Sequence, residues 1–338
     1  LSLISSSNWR LPDPAGHAPP RHVNSMRRTS SIDMNWPEGR DKPMAFLGRA
    51  RDVYTTDPGL PPIVMAEDTM KAQVQRDRTL LAITTNPPRE AVAKLVGLRG
   101  GGHLRTALKD ILPRERADGS PLYLLLDDLS GTSLIAGWAW SRWPGYTPEL
   151  EQALRSDPAM RAKMEGVCIS FQPGLSAMSL EYGSSEHHRT ARVSSLVNPE
   201  DPLGWHPLPL EAGMSMRRAR RIDVWLEGDV VNMDAGFQDS ASLPDGGREA
   251  VHEYSLTATA DLAGMTLTSV NPRPHVLPYP ECPAAVANVA CLAGTPLADL
   301  REVVLERLGT TSGCTHLNDA LRALAEVPQL LRKLKASQ

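Results

Sequence analysis

Long apolar runs are missing from this sequence. No stretch approaches the roughly 18 consecutive residues that a membrane-spanning helix needs, so no membrane partner is expected. The opening Leu1-Ser2-Leu3-Ile4-Ser5 is too short and too uncharged to read as a signal peptide. Cysteine is scarce: Cys168, Cys282, Cys291 and Cys314 are the four in 338 residues. That is no disulfide framework, and it fits a cytoplasmic protein with reduced thiols. A surplus of positive charge is missing too. The formal net charge is −3, which argues against a nucleic-acid partner, because such binders are basic. Phosphate-binding loops are also lacking. Arg99-Gly100-Gly101-Gly102-His103 follows neither the GxxxxGK(S/T) pattern nor the dinucleotide fingerprint, and reads as a flexible connection between helices.

What is present is material for a sizeable core. Hydrophobic residues make up 41% of the chain and charged ones 22%, as in a soluble globular protein. The length suits one large domain or two ordinary ones. Residues 1–25, rich in Pro, Ser and His, read as an irregular arm that Trp9 would pin. From there the chain says the same thing twice. Met26-Arg27-Arg28 is followed by Ile32-Asp33 and closed by Glu38-Gly39; Met216-Arg217-Arg218 is followed by Ile222-Asp223 and closed by Glu227-Gly228.

Each copy continues with a strand holding an aspartate, Asp52 or Asp239. Next comes a hairpin of alternating residues, Met70 to Thr85 or Tyr254 to Val270, ended by Asn86-Pro87 or Asn271-Pro272. Helical spacing then covers Ala91–Leu98, Leu104–Leu112 and Leu122–Ala139 in the first copy. In the second it covers Pro283–Leu292, Leu297–Leu308 and Cys314–Val327. The expected fold is α+β: a duplicated ββββαα unit whose antiparallel sheets pack together or close into a barrel, with helices outside. Residues 26–144 form the first repeat and 216–330 the second. Residues 145–215, rich in Pro, Gly, Ser and His, form an insert or lid, and 331–338 a tail.

The copies differ in polarity at matching places, which points to a site in the second. Where the first has Ala66-Glu67-Asp68, the second has Val251-His252-Glu253-Tyr254. Alternation puts His252 and Tyr254 on one face and Glu253 on the other, and an imidazole beside a phenol suits general acid/base work. Gly313-Cys314-Thr315-His316-Leu317-Asn318-Asp319 opens a helix and brings a thiol, an imidazole and a carboxylate to its first turn. His252 is expected as base or acid, Tyr254 as proton donor or oxyanion partner, and Asp239 as the group that orients the histidine. His316 and Asp319 complete the wall. Arg217 or Arg221 would hold a substrate carboxylate, with Glu253, Asn318 and Trp225 as further binding residues. The cluster of arginines from 217 to 221 runs into the strand Ile222-Asp223-Val224-Trp225 and so reads first as structural ion pairs. Trp138, Trp140, Trp143 and Trp205 can serve as aromatic walls or as plain core. No cofactor is expected. The alternative is zinc on Cys282, Cys314 and His316, although that spacing lacks the close Cys-x2-Cys pair of structural sites. Cys314 as a nucleophile would need a histidine other than His316, because residues two apart on a helix do not face each other.

The set Arg-Arg-x3-Ile-Asp, Phe-Gln-Asp-Ser, Val-His-Glu-Tyr, Leu-Pro-x2-Glu-Cys-Pro and Gly-Cys-Thr-His-Leu-Asn-Asp resembles a bacterial family of unknown function. The resemblance covers nearly everything from Met26 to Val327. Members of that family often carry a histidine before the Phe of Phe-Gln-Asp; Gly236 stands there in this chain. The resemblance implies an association with gene clusters for degrading aromatic, terpenoid or steroid-like compounds, and hence a small, largely apolar substrate. The expected activity is a lyase, isomerase or decarboxylase acting by acid/base chemistry on such a molecule. The alternatives are a non-catalytic small-molecule binding protein and a metalloenzyme. A homodimer is compatible with everything in the sequence.

Overall fold

The computed structural model describes residues 11–209 and 213–338; Trp9 lies outside the described residues. Two arginine-rich strands form its centre. β1 (Ser25–Asn35) pairs antiparallel with β6 (Ser215–Glu227), from Ser25 opposite Trp225 to Asn35 opposite Ser215. Outward from β1 run β2 (Met44–Thr55), β3 (Ile63–Val74) and β4 (Leu80–Asn86). Outward from β6 run β7 (Val230–Ser242), β8 (Arg248–Asp261) and β9 (Thr266–Val276), and the short β5 (Ala191–Val193) shares β8's outer edge with β9. The result is one continuous nine-stranded antiparallel sheet. It is neither two packed sheets nor a barrel, which corrects the expectation. The two halves join through their first strands, so β4 and β9 end at opposite edges and cannot meet.

The described helices are α1 (Gly102–Ile111), α2 (Pro113–Asp118), α3 (Pro121–Thr132), α4 (Ala136–Ser141), α5 (Pro148–Ser156), α6 (Pro158–Met164), α7 (Leu300–Arg307), α8 (Thr315–Arg322) and α9 (Val327–Ser337). Some expected helices are shorter or tighter than their periodicity implied. The stretch Leu122–Ala139 breaks after Thr132, where the Thr132 and Ser133 hydroxyls bond back to the Asp128 and Ser130 carbonyls, a competition that bends helices. Cys314–Val327 stops at Arg322 and restarts as α9, with Pro328 in its first turn. The expected tail 331–338 is the second half of that helix. The segment Cys282–Leu292 is a 3-10 helix. Among the described residues no helix is long and apolar enough to cross a membrane.

One face of the sheet carries the helix layer: α3 lies across β1 to β3, α9 across β1, β2 and β6, and α8 meets β8. Residues from the arm and from the 191–208 segment contribute to the opposite face. Arg27 donates to Asp223, and Arg217 to Asp33, at 2.5 Å each. Between these pairs His206 is held by the Thr29 and Ser31 hydroxyls, both at 2.8 Å. Burial, reinforced by the charges of Arg51, Arg49 and Arg217, pushes this imidazole down to about 3.

That shift sets a pH dependence. In the unfolded chain a histidine titrates near 6.5, so below that pH the unfolded state binds a proton the folded state refuses, and stability falls with pH. Between pH 6.5 and 5 His206 alone should remove about 2 kcal/mol. This window is distinct from that of Asp127 and Asp319, held below the ordinary carboxylate range, whose contribution is lost only below about pH 4. Urea midpoints measured from pH 7.5 to 5 should fall, and His206→Gln should reduce the fall, leaving the part that His188, His252 and His316 contribute. An equal slope in the variant would contradict this account.

Candidate functional site

The β7–β8 ladder runs in regular register from Val230 opposite Asp261 to Asp239 opposite His252, then slips so that Ser240 faces Ala250 and Val251 is unpaired. A bulge of this kind bends a strand and re-aims its side chains. Below it, alternation turns His252 and Tyr254 toward the helix layer, and Glu253 to the other face. There Glu253 accepts from the Ala15 N–H at 3.0 Å and the Gln238 amide at 2.8 Å. The N-terminus of α8, capped by Cys314 in extended conformation, brings in His316. The His252 and His316 rings stack with centroids 3.4 Å apart and planes 15° from parallel. His316 Nε2 stands 3.7 Å from Asp239 Oδ2. Two buried ring nitrogens, His252 Nδ1 and His316 Nε2, have no hydrogen-bond partner among the described residues.

Beneath the rings lies a buried ion-pair cluster. Arg218 donates to both oxygens of Asp239, at 2.9 and 2.8 Å, and its remaining terminal nitrogen reaches Asp319 at 2.8 Å. Arg220 grips Asp128, its terminal nitrogen at 2.6 Å. Both guanidinium groups lie over the Phe237 ring, at 5.0 and 4.7 Å.

These charges set the protonation of the site. Burial drives His316 well below its ordinary value, and Arg218 and Arg220 add to the shift. Burial does the same to His252, joined by His316, Arg218 and His188. Both imidazoles are therefore neutral at neutral pH. Burial raises Asp239 against the pull of Arg218. Asp319 is also raised by burial, but Arg105, Arg218 and Arg322 outweigh that and hold its carboxyl below the ordinary range. Burial and the neighbouring Cys314 keep the Tyr254 phenol protonated, and burial likewise raises the Cys314 and Cys282 thiols.

The structure thus brings together three of the expected residues, His252, Asp239 and His316; Tyr254 shares the His252 face of β8, with its phenol beside the Cys314, Cys282 and Cys168 thiols. Asp319 lies one layer deeper, bonded to Arg218, Arg105 and Arg322. Asn318 donates to the Leu308 carbonyl at 2.6 Å and ties the loop before α8. Arg217 and Arg221 are not near the histidines. They point to the opposite face, where Asp33 holds the first and Asp223 and Asp234 the second, so neither is free for a substrate carboxylate. Trp225 is on that face too, stacked on His22 at 4.3 Å. Glu253 shares it. Cys314 Sγ and His316 Nδ1 are 4.0 Å apart, too long for a working dyad, and the thiol is protonated.

Sequence reasoning read Arg218 and Arg220 as structural ion pairs, which they are, without placing them beneath the histidines. Strand parity was the available signal, since the even-numbered arginines of β6 share the face of His252. His188 is half-buried, its Nε2 2.9 Å from the Tyr279 hydroxyl, and burial with Arg142 pushes it down to about 4.

Among the described residues one group of three ligand-type side chains brings its donor atoms within 4.8 Å of one another: Asp239, His252 and His316. Two histidines and a carboxylate are a familiar iron donor set. The arrangement does not fit an ion as it stands. Nearly parallel rings 3.4 Å apart cannot both point their lone pairs at one centre, and Asp239 is engaged by Arg218 on both oxygens. Cys282 and Cys314 are outside the group, and Cys282 Sγ lies 3.1 Å from the Ser170 hydroxyl instead.

Residues 216–329 match a family model described as "Protein of unknown function (DUF2889)". No curated protein and no solved structure matches the chain. The matched segment spans β6 to the start of α9, and so includes His252, Tyr254, Asp239 and His316.

Gly131 of α3 is where the helix layer touches the ion-pair cluster. A Cβ there would sit 2.0 Å from an Arg218 nitrogen and 2.5 Å from Asp319 Oδ2. Gly131→Ala should therefore break the pair and cost about 3 kcal/mol or more, as removing a partner of a buried ion pair does. Gly137→Ala, in open space on α4, should be neutral or slightly stabilising. Urea denaturation of both variants checks the contrast, and equal stabilities would contradict it.

Proposed function

We propose that the second half of the chain carries an acid/base catalytic centre built on the His252–His316 pair, acting on a bulky, largely apolar small molecule. One observation carries this reading: two buried, stacked, neutral imidazoles keep ring nitrogens unpartnered. A buried polar atom left unpaired costs about 1–3 kcal/mol. A pure scaffold or carrier gains nothing from that expense, whereas a proton-transfer site needs free nitrogens. A neutral imidazole offers one lone pair and one N–H, so the pair can remove a proton at one position and return it at another. Asp239 at 3.7 Å stabilises the imidazolium that forms on His316, and the protonated Tyr254 phenol is a further donor. Lyase, isomerase or decarboxylase chemistry fits these groups. The resemblance to a family tied to aromatic and steroid-type catabolic gene clusters supports the apolar character of the substrate.

We further infer that the two halves arose by duplication. Arg28 bonds Asp52 bidentately at 2.6 and 2.7 Å, just as Arg218 bonds Asp239. A bulge follows Asp52 in the β2–β3 ladder, as one follows Asp239 in β7–β8. That register places Ala66 of β3 where β8 has His252. On this reading the first half keeps the scaffold and lacks the imidazole. An experimental structure whose halves fail to superpose strand for strand would remove the inference.

The functional test is a turnover screen of chelator-treated protein against aromatic and alicyclic acids, alcohols and ketones, read by mass spectrometry. His252→Ala and His316→Ala should each lower kcat about 100-fold or more, the scale of general acid/base assistance, while Glu253→Gln keeps it. Because both imidazoles titrate well below their ordinary value, kcat should stay flat from about pH 8 down to about pH 6. Turnover retained by both histidine variants refutes the reading. Turnover recovered only on adding a divalent ion replaces it with a metal mechanism.

A further inference from the structure

A cavity of about 430 Å³ opens between α4, α5, α6, the 171–178 segment and the sheet. Its volume falls in the range of small-molecule sites. Trp36, Trp140, Phe171, Met160, Met164 and Met178 supply an apolar and aromatic wall, with Trp36 and Trp140 tilted against each other at 5.6 Å. Three arginines also line it. Arg76 is paired with Asp41 at 3.0 Å and lies over Trp140. Arg155 and Arg161 differ: among the described residues neither has a carboxylate within ion-pair distance. Arg155 donates to the Ala177 and Ser179 carbonyls at 2.9 and 2.6 Å and keeps a buried, unpartnered Nε. Arg161 donates to the Met178 carbonyl at 3.0 Å. Glu151, one turn before Arg155 on α5, spends both oxygens on the N–H and hydroxyl of Ser185.

Two half-buried guanidinium groups without a counter-ion, at the edge of an aromatic and thioether wall, are complementary to an anion with a bulky apolar body. We propose that this cavity binds an aromatic or alicyclic carboxylic acid, with Arg155 and Arg161 receiving the carboxylate and the Trp, Phe and Met side chains the ring system. This site is separate from the histidine pair, none of whose residues lines the cavity, and it stands without the catalytic reading. Phe171 of the wall meets Tyr279 edge-on at 5.9 Å, and the Tyr279 hydroxyl bonds His188.

The probes are 2-naphthoate and its neutral counterpart 2-naphthalenemethanol, titrated calorimetrically into the full chain. The acid should bind at least tenfold more tightly than the alcohol. Arg161→Gln and Arg155→Lys, each checked for an unchanged Tm, should weaken the acid about tenfold and threefold and leave the alcohol unaffected. His252→Ala should bind both probes normally, so a failed catalytic reading and a failed binding reading are told apart. Equal affinity for acid and alcohol, acid binding unaltered in both arginine variants, or binding of neither probe overturns the proposal.

Discussion

The fold depends on a buried run of ion pairs between the strand arginines and the helix carboxylates. From Asp52 the run passes through Arg28 to Glu326, then Arg301, Asp127, Arg322 and Asp319, and through Arg218 to Asp239. A guanidinium taken out of water is tolerated only where carboxylates satisfy it geometrically, and removing one partner leaves an uncompensated charge. The helix layer is therefore fixed on the sheet at discrete points: Glu326 and Asp319 over the two central strands, Asp127 between them. Apolar packing fills the space around these points in two clusters, one per half.

The same charges explain why the histidines behave as they do. In the first half the aspartate facing the central arginine receives a second cation, Lys333 at 2.6 Å from Asp52 Oδ2. In the second half the comparable place beside Asp239 belongs to His316 at 3.7 Å. A lysine there is a permanent charge, whereas an imidazole over Arg218 and Arg220 is held neutral. Asp52 thus has a structural partner and Asp239 a protonatable one. Burial is the main cause of that neutrality, and the guanidinium groups of Arg218 and Arg220 add to it.

Much of this could be read from the sequence, and the failures have physical causes. The doubled Met-Arg-Arg motif located the two strands that pair at the centre, and alternation placed His252 and Tyr254 on one face with Glu253 on the other. The arginines were harder. Read as one cluster, Arg217, Arg218, Arg220 and Arg221 look alike. Strand parity separates them, sending 217 and 221 to the arm and 218 and 220 to the helices. Whether the sheet closes depends on which edges pair, and periodicity carries no information on that. The insert was opaque for another reason. His188 and Phe171 meet only through contacts with Tyr279, far along the chain, and no local pattern announces such contacts.

The protonation states narrow what the site can do. The Tyr254 phenol and the Cys314 and Cys282 thiols are all raised and carry their protons, so none is a ready nucleophile. Asp239 has both oxygens engaged by Arg218 and is poorly disposed to leave that pair. Among these side chains the lone pairs left to accept a proton are those of His252 and His316. Their stacking forces them to share one solvation environment: a proton on either ring disfavours one on the other by direct repulsion at 3.4 Å. The pair therefore handles one proton at a time, which suits shuttling between two positions of a single substrate better than holding a charged group in place.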